Sequence, residues 1–223
     1  MFKTETHMHT SESSYCGKLT AAEMVEQYHN AGYKTLFVSD HFYQPHFDKH
    51  PELDFDGIVD FFLRGYHAAK EAGEKYGMNI LLSAEYLFNT DTGHYLVYGI
   101  DEDFLYEFPK VLDMTVPEFH EITKSRGIML IQAHPFRGLS IPRPTWVDGF
   151  EVYNSSPRHV NPDDEPRCEI LVKENGLLRT AGSDSHRPED VAGTGIGSEY
   201  EIKTAADYIE LIKGGKGVIL RKE

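Results

Sequence analysis

The segment "NILLSAEYLFNTDTGHYLVYGI", residues 79–100, decides the fold. Two apolar, β-branched and aromatic runs, 79–87 and 94–100, flank only the six residues "FNTDTG". A crossover between parallel neighbours takes about a dozen residues or more, so these two runs are expected to pair antiparallel as a hairpin. Elsewhere strands are expected at 2–8, 35–40, 127–133, 149–154, 178–182 and 217–220. Amphipathic segments at 20–33, 54–77, 115–127, 163–176 and 204–214 separate most of them. Thr20 and Glu23 have capping-box spacing, and Gly32 follows as a stop. Phe55, Ile58, Val59, Phe62 and Tyr66 recur at helical spacing. Pro117 sits where a first turn tolerates it, with Gly127 at the far end. Strand–helix repetition of this kind places a parallel sheet inside a coat of helices. The hairpin distorts that pattern. No linker, repeat or low-complexity segment divides the chain, so residues 1–223 are read as a single α/β domain.

Composition narrows the partners. The 223 residues carry a formal net charge of −14. That argues against a broad surface for long nucleic acids, because such binding depends on Lys and Arg neutralising phosphates. It leaves small anionic substrates open, since metal ions in a cleft supply local positive charge. No apolar run approaches the ~18 residues that span a bilayer, so no membrane partner is expected. The first residues, "MFKTETHMH", lack the apolar core of a signal peptide. Cys16 and Cys168 form no C-x-x-C pair, and reduced thiols in a cytoplasmic protein are the expectation.

Reactive residues in α/β proteins collect where parallel strands end. The chain has 12 histidines. Six of them, His7, His9, His41, His94, His134 and His186, fall at or beside expected strand ends. "THMH" closes the first strand, with His7 and His9 on one side of it. "LFVSDH" brings Asp40 and His41 to the end of the second. "ILLSAEY" places Glu85 in an otherwise apolar strand, and His94 opens the returning arm of the hairpin. "IMLIQAHP" ends in His134, and "RTAGSDSH" carries Asp184 and His186 one residue apart. One histidine alone is usually a surface or satisfied core residue. Together, several strand ends bearing imidazole or carboxylate describe a polynuclear metal site. Nitrogen and oxygen donors, with no thiolate at ligand spacing, suit Zn²⁺, Mn²⁺ or Fe better than Mg²⁺ or Ca²⁺. Eight donors exceed the shell of one ion, so two or three divalent ions are expected, with Glu85 or Asp184 as the bridge.

The ordered set "HMHT", "SDH", "SAEY", "AHP" and "GSDSH" resembles the polymerase and histidinol phosphatase (PHP) family over nearly the whole chain. The resemblance implies a distorted (β/α)7, TIM-like barrel with three metals at its C-terminal face. It implies His7, His9, Glu85 and Asp184 on a first metal. Glu85 would bridge to a second, held by His94 and His134, and His41 and His186 would hold the third. Asp40 would orient a ligand from behind. Family members usually offer an Asp or His five or six residues after the second histidine, where this chain has Ser14 and Tyr15. Glu12 is the nearest carboxylate to fill that place.

The activity so implied is a metal-dependent phosphoesterase, with a metal-activated water attacking a phosphomonoester or a small nucleotide or oligonucleotide phosphate ester. Glu85, Asp184 and His186 would serve catalysis. Arg137, Arg158 and Arg187 are the candidates to hold phosphate oxygens, since Arg binds them bidentately. The loop at 43–57, with His46 and His50, is the best candidate for a specificity lid. The alternative is a catalytically weak or inactive PHP metal-binding module with a structural or regulatory role. Metal-dependent C–N hydrolysis on a related barrel ranks lower, because no lysine sits at an expected strand tip. The oligomeric state is left open.

Overall fold

The two runs of residues 79–100 pair antiparallel in a computed structural model of the chain, which describes residues 1–156, 161 and 164–221. The strands are β1 (Phe2–Met8), β2 (Thr35–Val38), β3 (His41–Tyr43), β4 (Asn79–Leu87), β5 (His94–Tyr98), β6 (Met129–Ala133), β7 (Gly149–Asn154), β8 (Leu178–Gly182), β9 (Thr194–Ser198) and β10 (Val218–Arg221). The helices are α1 (Ala21–Asn30), α2 (Gln44–Phe47), α3 (Phe55–Tyr76), α4 (Glu102–Tyr106), α5 (Val116–Ser125), α6 (Asp164–Asn175) and α7 (Ala205–Lys213).

The wall of the barrel runs β1-β2-β4-β5-β6-β7-β8, and only β5 is reversed within it. The last strand comes back to the first. Met8 and Ser185 form a parallel bridge, His9 N donates to Ser185 O at 3.0 Å, and Thr6 Oγ1 donates to Ala181 O at 2.7 Å. This is the distorted seven-stranded, TIM-like barrel that the resemblance implied.

Two strands were not expected. β3 lies on β4 beyond the end of β2, so the run read as 35–40 breaks after Val38 and resumes at His41. β9 pairs antiparallel with both β1 and β10. Its sequence, "TGIGS", has the glycines that weaken a strand signal. Gly195 is required there: its φ is 144°, and a Cβ would lie 2.3 Å from Thr4 O of β1. The strand expected at 217–220 is β10, which therefore stands outside the barrel wall.

Helix ends follow the expected chemistry. Thr20 and Glu23 close a capping box at α1, and Thr115 with Glu118 does the same at α5. The apolar face of α1 buries Met24, Val25 and Tyr28 against Leu36 and Ala69. α3 buries Val59, Phe62 and Leu63 against Phe42 and Leu82. Inside the barrel, Phe37, Tyr98 and Tyr208 pack with ring centroids 4.9–5.1 Å apart. Tyr98 ends the reversed β5 opposite Met129, whereas His94 begins it opposite Ala133. The aromatic plug thus fills one end of the barrel and the histidines the other. Among the described residues no helix is long and apolar enough to cross a membrane.

Candidate metal centre

The site begins with a kink in β1. Its register against β2 shifts between Glu5 and Met8. Glu5 causes this locally, because its buried Oε1 accepts from the backbone N–H groups of Thr6 and His7, both at 2.9 Å. The same carboxylate takes Tyr28 Oη at 2.8 Å, Ser183 N at 3.0 Å and Ser183 Oγ at 2.7 Å. A bulge of this kind re-aims a side chain. Here it turns His7 into the mouth of the barrel, where His9 joins it with ring centroids 5.1 Å apart.

The other strand ends deliver their donors in turn. His41 starts β3 and stands in register with Glu85 of β4. Behind it, Asp40 accepts from Thr10 N, Thr10 Oγ1 and Ser14 Oγ, each at 2.7 Å. That latch ties the turn after His9 to the end of β2. His94 opens a strand, but β5 runs backwards, so its first residue sits at the same face as the last residues of its neighbours. His134 follows β6 and Asp184 follows β8, and both adopt positive φ, 28° and 51°. Non-glycine residues seldom do so, at a cost of order 1–3 kcal/mol each, and such strain collects at functional sites.

Glu85 is the hub. Its Oε1 lies 2.9 Å from His94 Nδ1, 3.1 Å from His134 Nε2 and 3.4 Å from His7 Nε2, while Oε2 lies 2.6 Å from His41 Nδ1 and 3.6 Å from His9 Nε2. Asp184 Oδ1 is 3.2 Å from His9 Nε2 and 3.5 Å from His7 Nε2, and its Oδ2 accepts from Arg137. Burial alone would raise the Glu85 carboxyl, but His94, His41 and His7 hold it well below its ordinary range. Asp184 is likewise depressed against its burial, by His7 and Arg137. Burial, with His41 and His186 alongside, holds His9 well below the usual imidazole range.

Among the described residues donor atoms gather in four overlapping trios, each within 4.8 Å: His7-His9-Glu85, His7-His134-Asp184, Glu85-His94-His134 and His9-His41-His186. Among the described residues His7 Nε2, both ring nitrogens of His9 and Glu85 Oε2 are buried and make no hydrogen bond of good geometry, close as the ionic groups around them are. Each such atom costs about 1–3 kcal/mol when left unpaired. Nitrogen and carboxylate donors converging with unsatisfied lone pairs fit divalent transition metals.

Of the residues singled out in the sequence, His7, His9, His41, Glu85, His94, His134, Asp184 and His186 converge here. Glu12 does not. Its carboxylate accepts from the backbone N–H of Ala21 at 3.0 Å, at the start of α1. Arg137 is inside, on Asp184, whereas Arg187 is exposed and 4.0 Å from Glu189. Arg158 lies outside the described residues. Three contributors escaped the sequence reading. Glu151 of β7 accepts from His7 Nδ1 at 2.8 Å and from the backbone N–H of His134 at 3.1 Å, which orients both histidines. Glu5 shapes the bulge. Cys16 stands near the same end of the barrel: burial alone would raise its thiol, but His186 and His41 lower it to about 6. A polar residue alternating in a strand was the sole signal for Glu151.

The sequence matches no protein-family model and no curated protein. Its likeness is to solved structures. A two-domain protein from Bacteroides vulgatus, containing a predicted PHP-like metal-dependent phosphoesterase, matches 99% of this chain with a TM-score of 0.70 and 17% identity. The chain spans 65% of that protein's length. The lesion-specific endonuclease of Pyrococcus furiosus matches 98% of the chain, with a TM-score of 0.65, 14% identity and 57% of its own length covered. An amidohydrolase of Chromobacterium violaceum, solved with bound sulfate and without metal, matches 98% of each chain with a TM-score of 0.58 and 17% identity. The resemblance to the PHP family carried by the motifs is thus shared by the fold.

Proposed function

We propose that the chain is a metal-dependent phosphoesterase acting on a phosphomonoester or a small nucleotide or oligonucleotide phosphate ester. The observation that carries the reading is the cluster of buried, unpartnered imidazole and carboxylate donors in four overlapping trios at the barrel mouth. In this reading His7, His9, Glu85 and Asp184 hold one divalent ion, and Glu85, His94 and His134 hold a second. His41 and His186 hold a third, with Zn, Mn or Fe as the metals. Ions so placed supply a water deprotonated near neutral pH and a clamp for phosphoryl oxygens.

The chain's own residues do the rest. Glu151 fixes the His7 tautomer by accepting from Nδ1, which leaves Nε2 facing the cluster. Arg137 stands at the edge, one nitrogen on Asp184 and its buried Nε unpartnered, so the guanidinium is placed to receive an anionic oxygen. Arg187, exposed, is a rim contact for a longer substrate, and Arg158 keeps only its sequence-based candidacy.

The test is purified protein loaded with Mn²⁺, Zn²⁺ or Fe²⁺, assayed against phosphomonoesters, nucleotides, short oligonucleotides and N-acyl amines, beside a His9→Ala variant. Phosphate-ester hydrolysis that disappears in His9→Ala is the expected result. Bound metal without hydrolysis of any phosphate ester would sink the assignment and favour the binding module; amide cleavage would favour C–N chemistry.

A further inference from the structure

β3 is three residues long, and its alternation decides what stands just outside the metal centre. Phe42 is fully buried and packs into the core against Phe62 and Tyr86. His41 and Tyr43 therefore share the other side of the strand. His41 is in register with Glu85 and Tyr43 with Leu87, so Tyr43 lies one strand repeat, about 7 Å, beyond His41 towards the mouth of the barrel. Its ring centroid is 5.5 Å from that of His41, and the residue is half-buried.

The loop that follows holds Tyr43 in place through ring contacts. His46, 2% exposed, packs against it with centroids 4.2 Å apart. Tyr15 meets His46 edge-on at 5.1 Å and bonds His50 Nε2 through its hydroxyl, and His50 packs on Phe61 of α3 at 4.3 Å. Tyr15, where a further ligand was expected, thus fastens the loop at 43–57 to the turn after His9. The charged groups of the loop are engaged. Lys49 Nζ sits 3.8 Å from the Tyr15 centroid, Asp48 accepts from Gln44 Nε2 at 2.8 Å, Glu52 lies 3.1 Å from His50 Nδ1 and Asp54 caps α3. The rim beside His41 is therefore an aromatic ring, whereas the rim at Arg137 carries charge.

We propose that Tyr43 is a specificity-determining residue that stacks on a flat aromatic ring in the organic part of the ester, with His46 and Tyr15 as positioning residues. The inference rests on the proposed function and narrows its substrate class to ring-bearing esters, such as nucleoside monophosphates, over alkyl phosphates. Phosphoryl oxygens belong with the donors around Glu85 and with Arg137, so the uncharged rim is left to the organic part. A tyrosine ring offers a flat partner stacking and dispersion that a flexible alkyl chain uses poorly.

The test measures kcat and KM of the metal-loaded wild type, Tyr43→Phe, Tyr43→Leu and Tyr15→Ala on thymidine 5′-monophosphate, 4-nitrophenyl phosphate and glycerol 3-phosphate. Hydrogen exchange over residues 43–54 is followed in the metal-free wild type and Tyr15→Ala. The wild type is expected to prefer the two ring-bearing esters. In Tyr43→Leu that preference should fall about tenfold, through KM rather than kcat, and Tyr43→Phe should retain it. Tyr15→Ala should lose it as well, with faster exchange over 43–54. A wild type that prefers glycerol 3-phosphate, or a preference unchanged in Tyr43→Leu, overturns this proposal alone. Unchanged exchange in Tyr15→Ala overturns the positioning role of Tyr15. No hydrolysis of any phosphate ester by the metal-loaded wild type overturns the proposal together with the proposed function. Far-ultraviolet circular dichroism checks that each variant folds.

Discussion

Glu151 shows what a single residue contributes without touching the reacting centre. One oxygen takes His7 Nδ1 and the other takes the His134 backbone N–H and Asn154 Nδ2, the last at 2.8 Å. Burial opposes a proton on His7, yet Glu151, then Asp184 and Glu85, push its pKa well above the ordinary range. Glu151→Gln keeps the size and removes the charge. Metal affinity or turnover is expected to fall by about 10–100-fold, the usual effect of losing an outer partner of a ligating histidine. Calorimetric metal titration and kcat/KM check it, and unchanged values would show that His7 needs no orientation. A second prediction concerns Asp184, whose φ of 51° Asn tolerates as well as Asp. Asp184→Asn should fold with a urea midpoint close to the wild type while losing turnover. A large loss of stability would show that the Arg137 pair, rather than metal binding, is the main role of this carboxylate. At this scale the sequence was legible where chemistry is local. H-x-H and D-x-H spacings announce two donors on one side of a strand end, but nothing near Glu151 in the chain points to His7, 144 positions away.

Between elements, α3 meets the turn after His9 through Gly65. A Cβ there would lie 2.1 Å from Thr10 Oγ1 and 2.3 Å from Asp40 Oδ2, within the latch that joins that turn to the end of β2. Gly65→Ala must push the turn outward. The expected loss is about 1–3 kcal/mol of stability, as for other overpacked sites, with lower activity because the turn after His9 and the end of β2 before His41 move together. Urea denaturation and metal stoichiometry measure both halves. A variant as stable and as active as the wild type would show that the helix shifts freely. The strand reading succeeded for the hairpin, since loop length alone excludes a crossover. It undervalued His94, because a residue that opens a strand reaches the ligand face only once that strand runs backwards. It missed β9 for a different reason. That strand is specified by close backbone approach to β1 rather than by apolar side chains, and glycines leave no periodic trace.

For the molecule as a whole, a chain of net charge −14 concentrates imidazoles at one end of a barrel and unsatisfied donors among them. Ions that bind only the folded state add their binding free energy to stability. At a metal concentration one hundred times the dissociation constant this is about 2.7 kcal/mol, which for a chain of this length corresponds to a rise in Tm of roughly 5–10 °C. Chelation should lower Tm by that amount, and readdition of Zn²⁺ or Mn²⁺ should restore it. Calorimetry that finds the same Tm with and without chelator would mean that the donors are not held together by metal.

The seam where β8 returns to β1 sets the order in which such a site can come into being. Glu5 and Ser183, bonded across it, are 178 positions apart, and Asp184 and His186 follow directly. A chain emerging residue by residue displays "HMH" first and the closing "SDSH" near its end. Until then its histidines are separate, weak ligands. In the proposed metal centre high affinity is a property of the closed ring, so metal uptake is expected only once β8 has closed on β1.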